Sequence, residues 1–326
     1  MGDLVVGVDL GGTKILAVLA DREGQVLARI KVPTEADLGR EHVITKMAEI
    51  INGLLEESAA PAHRVAAVGV GIPGWMDPQQ GFLFFAPNLG WKDLPLGTIL
   101  GERLARPVYL DNDANLAALG EYVYGSGRGT ADMVYITVST GVGGGLILNG
   151  GVYHGSMGTA GEIGHITVDP NGPVCRCGNA GCLEAVASGT AMAIRALALV
   201  DLGRGAGILA AAGGRREQVN ARAVSRAAAA GDAEALVILR DAGRYLGITV
   251  AGIINLLNPA AVVLGGGAMQ SGTLLWDAML DEVRRRTLES SLAAVRVQRA
   301  ALGGDSGAMG AVALAIDRLG PSPARC

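Results

Sequence analysis

Three of the chain's four cysteines and one of its four histidines stand between Glu162 and Glu184. Between His165 and the C-x-C-x4-C run of Cys175, Cys177 and Cys182 lie, among others, Asp169, Pro170, Asn171, Gly172 and Pro173. That turn-rich stretch can fold three thiolates and an imidazole onto one centre. Such donors are the ligand set of a closed tetrahedral zinc site. The competing reading is two buried cysteines with a chance neighbour, but a run studded with Gly178 and Gly181 packs poorly and turns well. Four protein ligands leave no open position, so this zinc would be structural and would not activate water. Its effect would be to fix Glu162 and Glu184, one carboxylate at each end of the knuckle.

A second acidic group follows the apolar stretch that ends at Leu110, in the order Asp111-Asn112-Asp113, just before an apolar helix beginning at Ala114. Catalytic groups often sit at such strand ends. Asp111 or Asp113 could equally cap that helix.

Two further stretches offer backbone instead of side chains. Leu4 to Leu19 is a β-branched run, a Gly11-Gly12 turn and a second apolar run, which predicts a hairpin whose turn exposes N–H groups to phosphate oxygens. Thr13 and Lys14 add a hydroxyl and an ammonium, and Asp9 could orient a magnesium ion through water. The order Gly-Gly-Thr-Lys and a following strand rule out a Walker P-loop. Met133 to Leu148 repeats the design, with Thr140-Gly141 at its turn. By contrast Gly69-Val-Gly71-Ile-Pro-Gly74 matches the dinucleotide fingerprint only by letter, because Pro73, Pro78 and Gly81 deny it the required helix. Trp91, in Asn88-Leu-Gly-Trp91, reads either as an aromatic wall for a ligand or as core.

These groups need elements to hold them. Apolar periodicity predicts a helix over 39–58, then a strand over 65–70. Helices are expected over 185–208 and over 220–257 with a break at Gly231-Asp232, followed by a strand that ends in Gly265-Gly266-Gly267. A helix over 274–286, a short strand over 295–299 and a final helix over 308–319 complete the chain. Pro321 to Cys326 reads as a frayed tail with a lone exposed thiol. Each glycine hairpin is followed later by a helix and a strand ending in glycines, so two similar α/β halves are expected to clamp a nucleotide.

A chain of 326 residues can bury two substantial cores. Its net charge of −4 advertises no basic surface, so neither nucleic acid nor an anionic membrane is an expected partner. Clustered cysteines and a first strand at Leu4 with no signal core before it place the protein in the cytoplasm. The longest apolar stretch, 246–264, is broken by Asn255, Asn258 and Pro259 and is no membrane span.

Taken together, Asp9-Leu-Gly-Gly-Thr-Lys14, Gly71-Ile-Pro-Gly74, Asn88-Leu-Gly-Trp91, Asn112-Asp-Ala-Asn115, Ser139-Thr-Gly-Val-Gly-Gly-Gly145, Glu162-Ile-Gly-His165, the cysteine run through Glu184 and Leu264-Gly-Gly-Gly267 resemble the sugar-kinase branch of the repressor, open reading frame and kinase family, most closely its bacterial glucokinases. The resemblance covers nearly the whole chain. It implies an α/β, two-lobed, actin-like and hexokinase-like fold of duplicated ribonuclease H-like halves with an inserted structural zinc knuckle. The lobes would be 1–113, completed by the helix at 308–326, and 114–307. It further implies ATP and Mg²⁺, structural Zn²⁺, a hexose phosphorylated at its 6-hydroxyl, and a homodimer or higher homo-oligomer. The sugar would be held by Asn88, Asn112, Asp113, Glu162, His165 and Glu184, with Asp113 as base. His165 would also bind zinc, together with Cys175, Cys177 and Cys182. Nucleotide contacts would come from Asp9, Gly11, Gly12, Thr13, Lys14, Thr140, Gly141, Gly265, Gly266 and Gly267. An N-acyl hexosamine kinase could use the same motifs with more room at the sugar's C2. A sugar-sensing repressor would need a helix-turn-helix module, which is not expected from a first strand at Leu4.

Overall fold

The computed structural model describes residues 4–58, 62–270 and 272–320. The expected tail, with Cys326, lies outside them.

In chain order the first elements are β1 (Leu4–Leu10), β2 (Lys14–Asp21), β3 (Val26–Pro33), α1 (Arg40–Glu57), β4 (Val65–Ile72), β5 (Trp75–Asp77), β6 (Phe82–Ala86) and β7 (Trp91–Leu94). Next come α2 (Leu96–Leu104), β8 (Val108–Asn112), α3 (Asp113–Tyr124), β9 (Met133–Val138), β10 (Val142–Leu148) and β11 (Gly151–Val152). The remaining elements are α4 (Leu183–Ala187), α5 (Gly189–Asp201), α6 (Ala206–Ala211), α7 (Ala221–Ala229), α8 (Ala233–Leu257), β12 (Ala261–Gly265), α9 (Leu274–Arg286), α10 (Glu289–Ala294), β13 (Arg296–Arg299) and α11 (Ser306–Leu319).

The described residues form two compact units, one drawn from 4–131, 145–161 and 300–320, the other from 132–144 and 162–299. Helix α3, expected in the second lobe, belongs to the first unit, where it packs on α11. Two glycines allow that crossing: a Cβ at Gly120 would lie 2.3 Å from the Ser306 carbonyl oxygen, and one at Gly310 1.6 Å from that of Leu116.

The first unit holds a five-stranded sheet of order β3-β2-β1-β4-β8, with β1, β4 and β8 parallel and the β1-β2-β3 meander antiparallel. Because side chains alternate along a strand, β1 serves two cores. Val6, Val8 and Leu10 pack with the apolar stripe Val43, Met47, Ile51 and Leu54 of α1. Val5 instead packs with Met309 and Val312 of α11. A smaller sheet, β5-β6-β7, was not expected from the sequence. Its three- to five-residue strands show no clear alternation, and Trp91 is 4% exposed within its core, so the reading of Trp91 as a ligand wall gives way to packing.

The other five-stranded sheet has the order β11-β10-β9-β12-β13, with β9, β12 and β13 parallel. In the second unit α8 and α9 cross closely: a Cβ at Gly243 or Gly247 would come within 2.4 Å of a carbonyl oxygen of α9. The helix expected over 185–208 is three helices, α4, α5 and α6. Ser188 breaks it first, its Oγ accepting from Ala191 N (3.0 Å) as the N-cap of α5, and Gly203 at φ 73° turns the chain again. The break at Gly231-Asp232 is present, Asp232 capping α8 through Ala235 N (2.8 Å). Among the described residues no helix is long and apolar enough to cross a membrane.

Candidate functional site

In the first unit the β1–β2 turn is closed by Gly11 N donating to Lys14 O (2.9 Å). The buried Thr34 pins it from outside, its hydroxyl donating to Gly11 O (2.6 Å) and its N–H to Thr13 O (3.1 Å). Thr34 carried no sequence signal, because it meets the turn only through pairing of β2 with β3. Gly12 and Thr13 are exposed at the tip. A Cβ on Gly12 would lie 3.8 Å from Asn88 Cβ, so the turn and the first sugar candidate are neighbours. Asp9 is partly buried at the end of β1; desolvation pushes its carboxyl above the usual carboxylate range, and the Lys14 ammonium opposes this. Gly307 lets the start of α11 press on that carboxylate, since a Cβ there would be 2.9 Å from Asp9 Cγ. The segment is held by the buried Glu121 of α3, which accepts from Ala301 N (3.0 Å), Leu302 N (2.8 Å) and Ser306 Oγ (2.8 Å).

The cap of α3 is Asn112, and neither Asp111 nor Asp113. Its Oδ1 accepts from Ala114 N (2.9 Å) and Asn115 N (3.3 Å), while its Nδ2 donates to Gly74 O (3.1 Å). With both lone pairs of Oδ1 engaged, Asn112 has one amide hydrogen left for a ligand. Asp113 opens the helix, with Oδ1 accepting from Ala114 N (2.9 Å). Asp111 points inward: it is 2% exposed, and its Oδ2 meets His154 Nε2 at 2.7 Å. No sequence pattern marks His154, an isolated histidine in a glycine-rich loop.

In the second unit the segments that carry the acidic candidates meet at Val142. Glu184 Oε2 accepts from Val142 N (3.0 Å), and Gly164 sits flat on Val142, where a Cβ would be 2.1 Å from its carbonyl oxygen. Glu162-Ile-Gly-His165 and Glu184 are thereby both seated on Val142, the residue that follows the Thr140-Gly141 turn. A Cβ on Gly141 would lie 2.3 Å from Glu184 Oε2. Thr140 is tied to the start of α5, its carbonyl accepting from Thr190 Oγ1 (2.8 Å). Of the three glycines at the end of β12, two are packing glycines: a Cβ on Gly265 would strike the Tyr135 hydroxyl at 2.3 Å, and Gly266, at φ 89°, lies against Val138 O. Only Gly267 faces open space.

His165, Cys175, Cys177 and Cys182 bring their donor atoms within 4.8 Å of one another. Cys175 Sγ is 3.7 Å from His165 Nδ1, and Cys177 Sγ is 3.6 Å from Cys182 Sγ. Tetrahedral zinc with ordinary Zn–S and Zn–N lengths sets its donors roughly 3.6–3.8 Å apart. The donor set therefore fits zinc in type, and these two pairs fit it in spacing. His165 Nε2 lies on the other side of the ring, 3.9 Å from Glu162 Oε2. Without metal, burial and the neighbouring thiols push the Cys182 thiol up to about 12, so loading the site expels protons.

The ROK family matches residues 5–318, and the chain belongs to that family. A glucokinase of Halalkalibacterium halodurans is 38% identical over 94% of this chain and 92% of its own length. The glucokinase of Thermotoga maritima is 36% identical over 97% of this chain and 98% of its own. Among solved structures, the ROK family glucokinase from Streptomyces griseus in complex with glucose and AMPPNP superposes with a TM-score of 0.83 at 37% identity, covering 97% of this chain and 100% of that one.

Proposed function

We propose that the chain is an ATP-dependent hexose kinase that phosphorylates glucose at its 6-hydroxyl. The observation that carries this is the pairing, in each unit, of a glycine turn with a sugar candidate: Gly12 beside Asn88, and Gly141 beside Glu184. Relatives of near-equal length, named glucokinases, support the choice of sugar. The actin-like, duplicated ribonuclease H-like reading is supported by the two five-stranded sheets, whose strands follow the same order of third, second, first, fourth and fifth.

In this reading Asn88, Asn112, Asp113, Glu162, His165 and Glu184 bind the ring of hydroxyls. Rigid polar partners discriminate among epimers because an unmatched buried group costs more than a missing methylene. Asp113 accepts the proton of the 6-hydroxyl as its oxygen bonds to the γ-phosphorus and the bond to the ADP oxygen breaks. Gly11, Gly12, Thr13, Lys14, Thr140, Gly141 and Gly267 face the phosphates and nucleotide. Asp9 would hold Mg²⁺, which when bound neutralises phosphate charge. Cys175, Cys177, Cys182 and His165, through Nδ1, would hold the structural zinc, which would leave Nε2 for the sugar.

ADP release measured in parallel with glucose, mannose, fructose, N-acetylglucosamine and N-acetylmannosamine tests this. Glucose should give the highest kcat/KM; a preference for either N-acyl sugar would move the assignment to an N-acyl hexosamine kinase. The two turns should also respond differently. Gly11→Val should raise the KM for ATP roughly tenfold or more, since a lost hydrogen bond to a charged group costs about 1.5–3 kcal/mol. Gly141→Val should raise the KM for glucose as well, because its side chain displaces Glu184. Unchanged kinetics in folded Gly11→Val protein would remove the phosphate role of that turn.

A further inference from the structure

Asp111 is a buried carboxylate that the transfer does not use. Its Oδ1 accepts from Asn112 N (2.7 Å) and from Asn115 Nδ2 (3.1 Å), residues on either side of Asp113 in sequence. It therefore braces the turn between β8 and α3 from beneath. Its remaining oxygen is taken by His154 at 2.7 Å. The backbone around His154 is itself fixed: its carbonyl accepts from Ala160 N (3.0 Å), and Met157 O accepts from Trp75 Nε1 (2.8 Å) on the small sheet. A buried carboxylate needs its hydrogen bonds satisfied, and one left short of a partner costs several times what a neutral surface contact contributes.

We propose that His154 is a positioning residue for phosphoryl transfer, acting through Asp111 on the turn that carries Asp113. This rests on the hexose kinase reading, in which Asp113 is the base. Misplacement of a reacting group by a fraction of an ångström to one ångström lowers turnover by one to two orders of magnitude while leaving binding largely alone. Truncating His154 should thus appear in kcat and spare the KM for ATP, whose contacts lie elsewhere.

The pairing also makes the brace sensitive to pH. The hydrogen bond to Asp111 raises the His154 pKa above the ordinary value, burial opposes this, the Asp111 charge adds to it and Arg318 of α11 subtracts. Asp111 from β8 and Arg318 from α11 are the charged groups acting on it. A raised folded-state pKa means the charged pair contributes its full stability below the unfolded value of about 6.5 and loses it as pH rises through the folded value. Above that, His154 still donates a hydrogen bond, but a neutral one.

The test compares wild type with His154→Ala and His154→Gln, the latter keeping a neutral donor of similar reach. Melting temperature against pH, with no substrate present, should show wild type ahead of His154→Gln below pH 6.5 and the two converging as His154 deprotonates. With ATP and glucose, His154→Ala should lower kcat about tenfold with the KM for ATP unchanged. His154→Gln should lie between, and the ratio of wild-type to His154→Gln kcat should shrink over the same pH range in which the melting curves converge. Wild-type kcat in both variants at every pH overturns the positioning role and leaves the kinase reading standing. Wild-type protein that turns over no hexose overturns the kinase reading and this role with it, and leaves the melting comparison intact, which tells the two failures apart.

Discussion

Asp113→Asn is expected to lower kcat by about 10²- to 10⁴-fold, the usual cost of removing a general base, while glucose still binds with near wild-type affinity. The amide has the shape of the carboxylate and can still accept from Ala114 N through its oxygen, the contact that Asp113 Oδ1 makes in the first turn of α3. The helix should be undisturbed, because its cap is Asn112 and its brace is Asp111. What is lost is the ability to take the proton of the attacking hydroxyl. Calorimetry gives the affinity and a coupled ADP assay gives the turnover. Normal affinity with near wild-type turnover would reassign the base. Asp111 would then be the next carboxylate to test, although its two oxygens are already committed to Asn112 N, Asn115 Nδ2 and His154.

The second large effect should come from the zinc knuckle. Glu162 stands three residues before His165 and Glu184 two after Cys182, and both segments are seated on Val142, one by hydrogen bond and one by the flat face of Gly164. A zinc bound by His165, Cys175, Cys177 and Cys182 would tie the knuckle loop together, and its loss should loosen both carboxylates from their seats. A structural zinc site contributes roughly 10–16 kcal/mol of apparent binding energy in small peptides, ample to order a loop of this length. The sheets have their own buried cores and should survive. Cys177→Ser, or removal of zinc by a chelator, should therefore leave far-UV circular dichroism and much of the ATP affinity in place while glucose affinity and turnover fall together. Magnesium should not restore them, since a hard cation does not replace zinc among thiolates. Mass spectrometry of native protein should find about one zinc per chain. Full activity in zinc-free protein, with reactive thiols at Cys175, Cys177 and Cys182, would remove the organising role of the knuckle.

What could be read from the sequence was local. The hairpin at 4–19, the stripe of α1 and the Cys/His cluster are set by near neighbours, and each stands where its spacing placed it. Features that depend on distant segments were not readable. Thr34 reaches Gly11 only because β3 pairs with β2, and His154 meets Asp111 across 43 positions of chain. The cap of α3 fell to Asn112 in place of either aspartate because Asp111 turns into the interior as the last buried position of β8. Gly265 and Gly266 illustrate a different limit: a glycine admits a ligand or a neighbouring strand equally well, and here β9 is the neighbour that requires them. The helix expected over 185–208 failed for a local reason, since Ser188 prefers to cap and alanine-rich sequence on either side masks the break.

The most direct measurement is the product itself. Incubated with ATP, Mg²⁺ and glucose, the protein should form ADP and glucose 6-phosphate in equal amounts, the sugar phosphate identified by phosphorus NMR. ADP accumulating without sugar phosphate, or phosphate appearing only on an N-acyl hexosamine, would contradict the assignment.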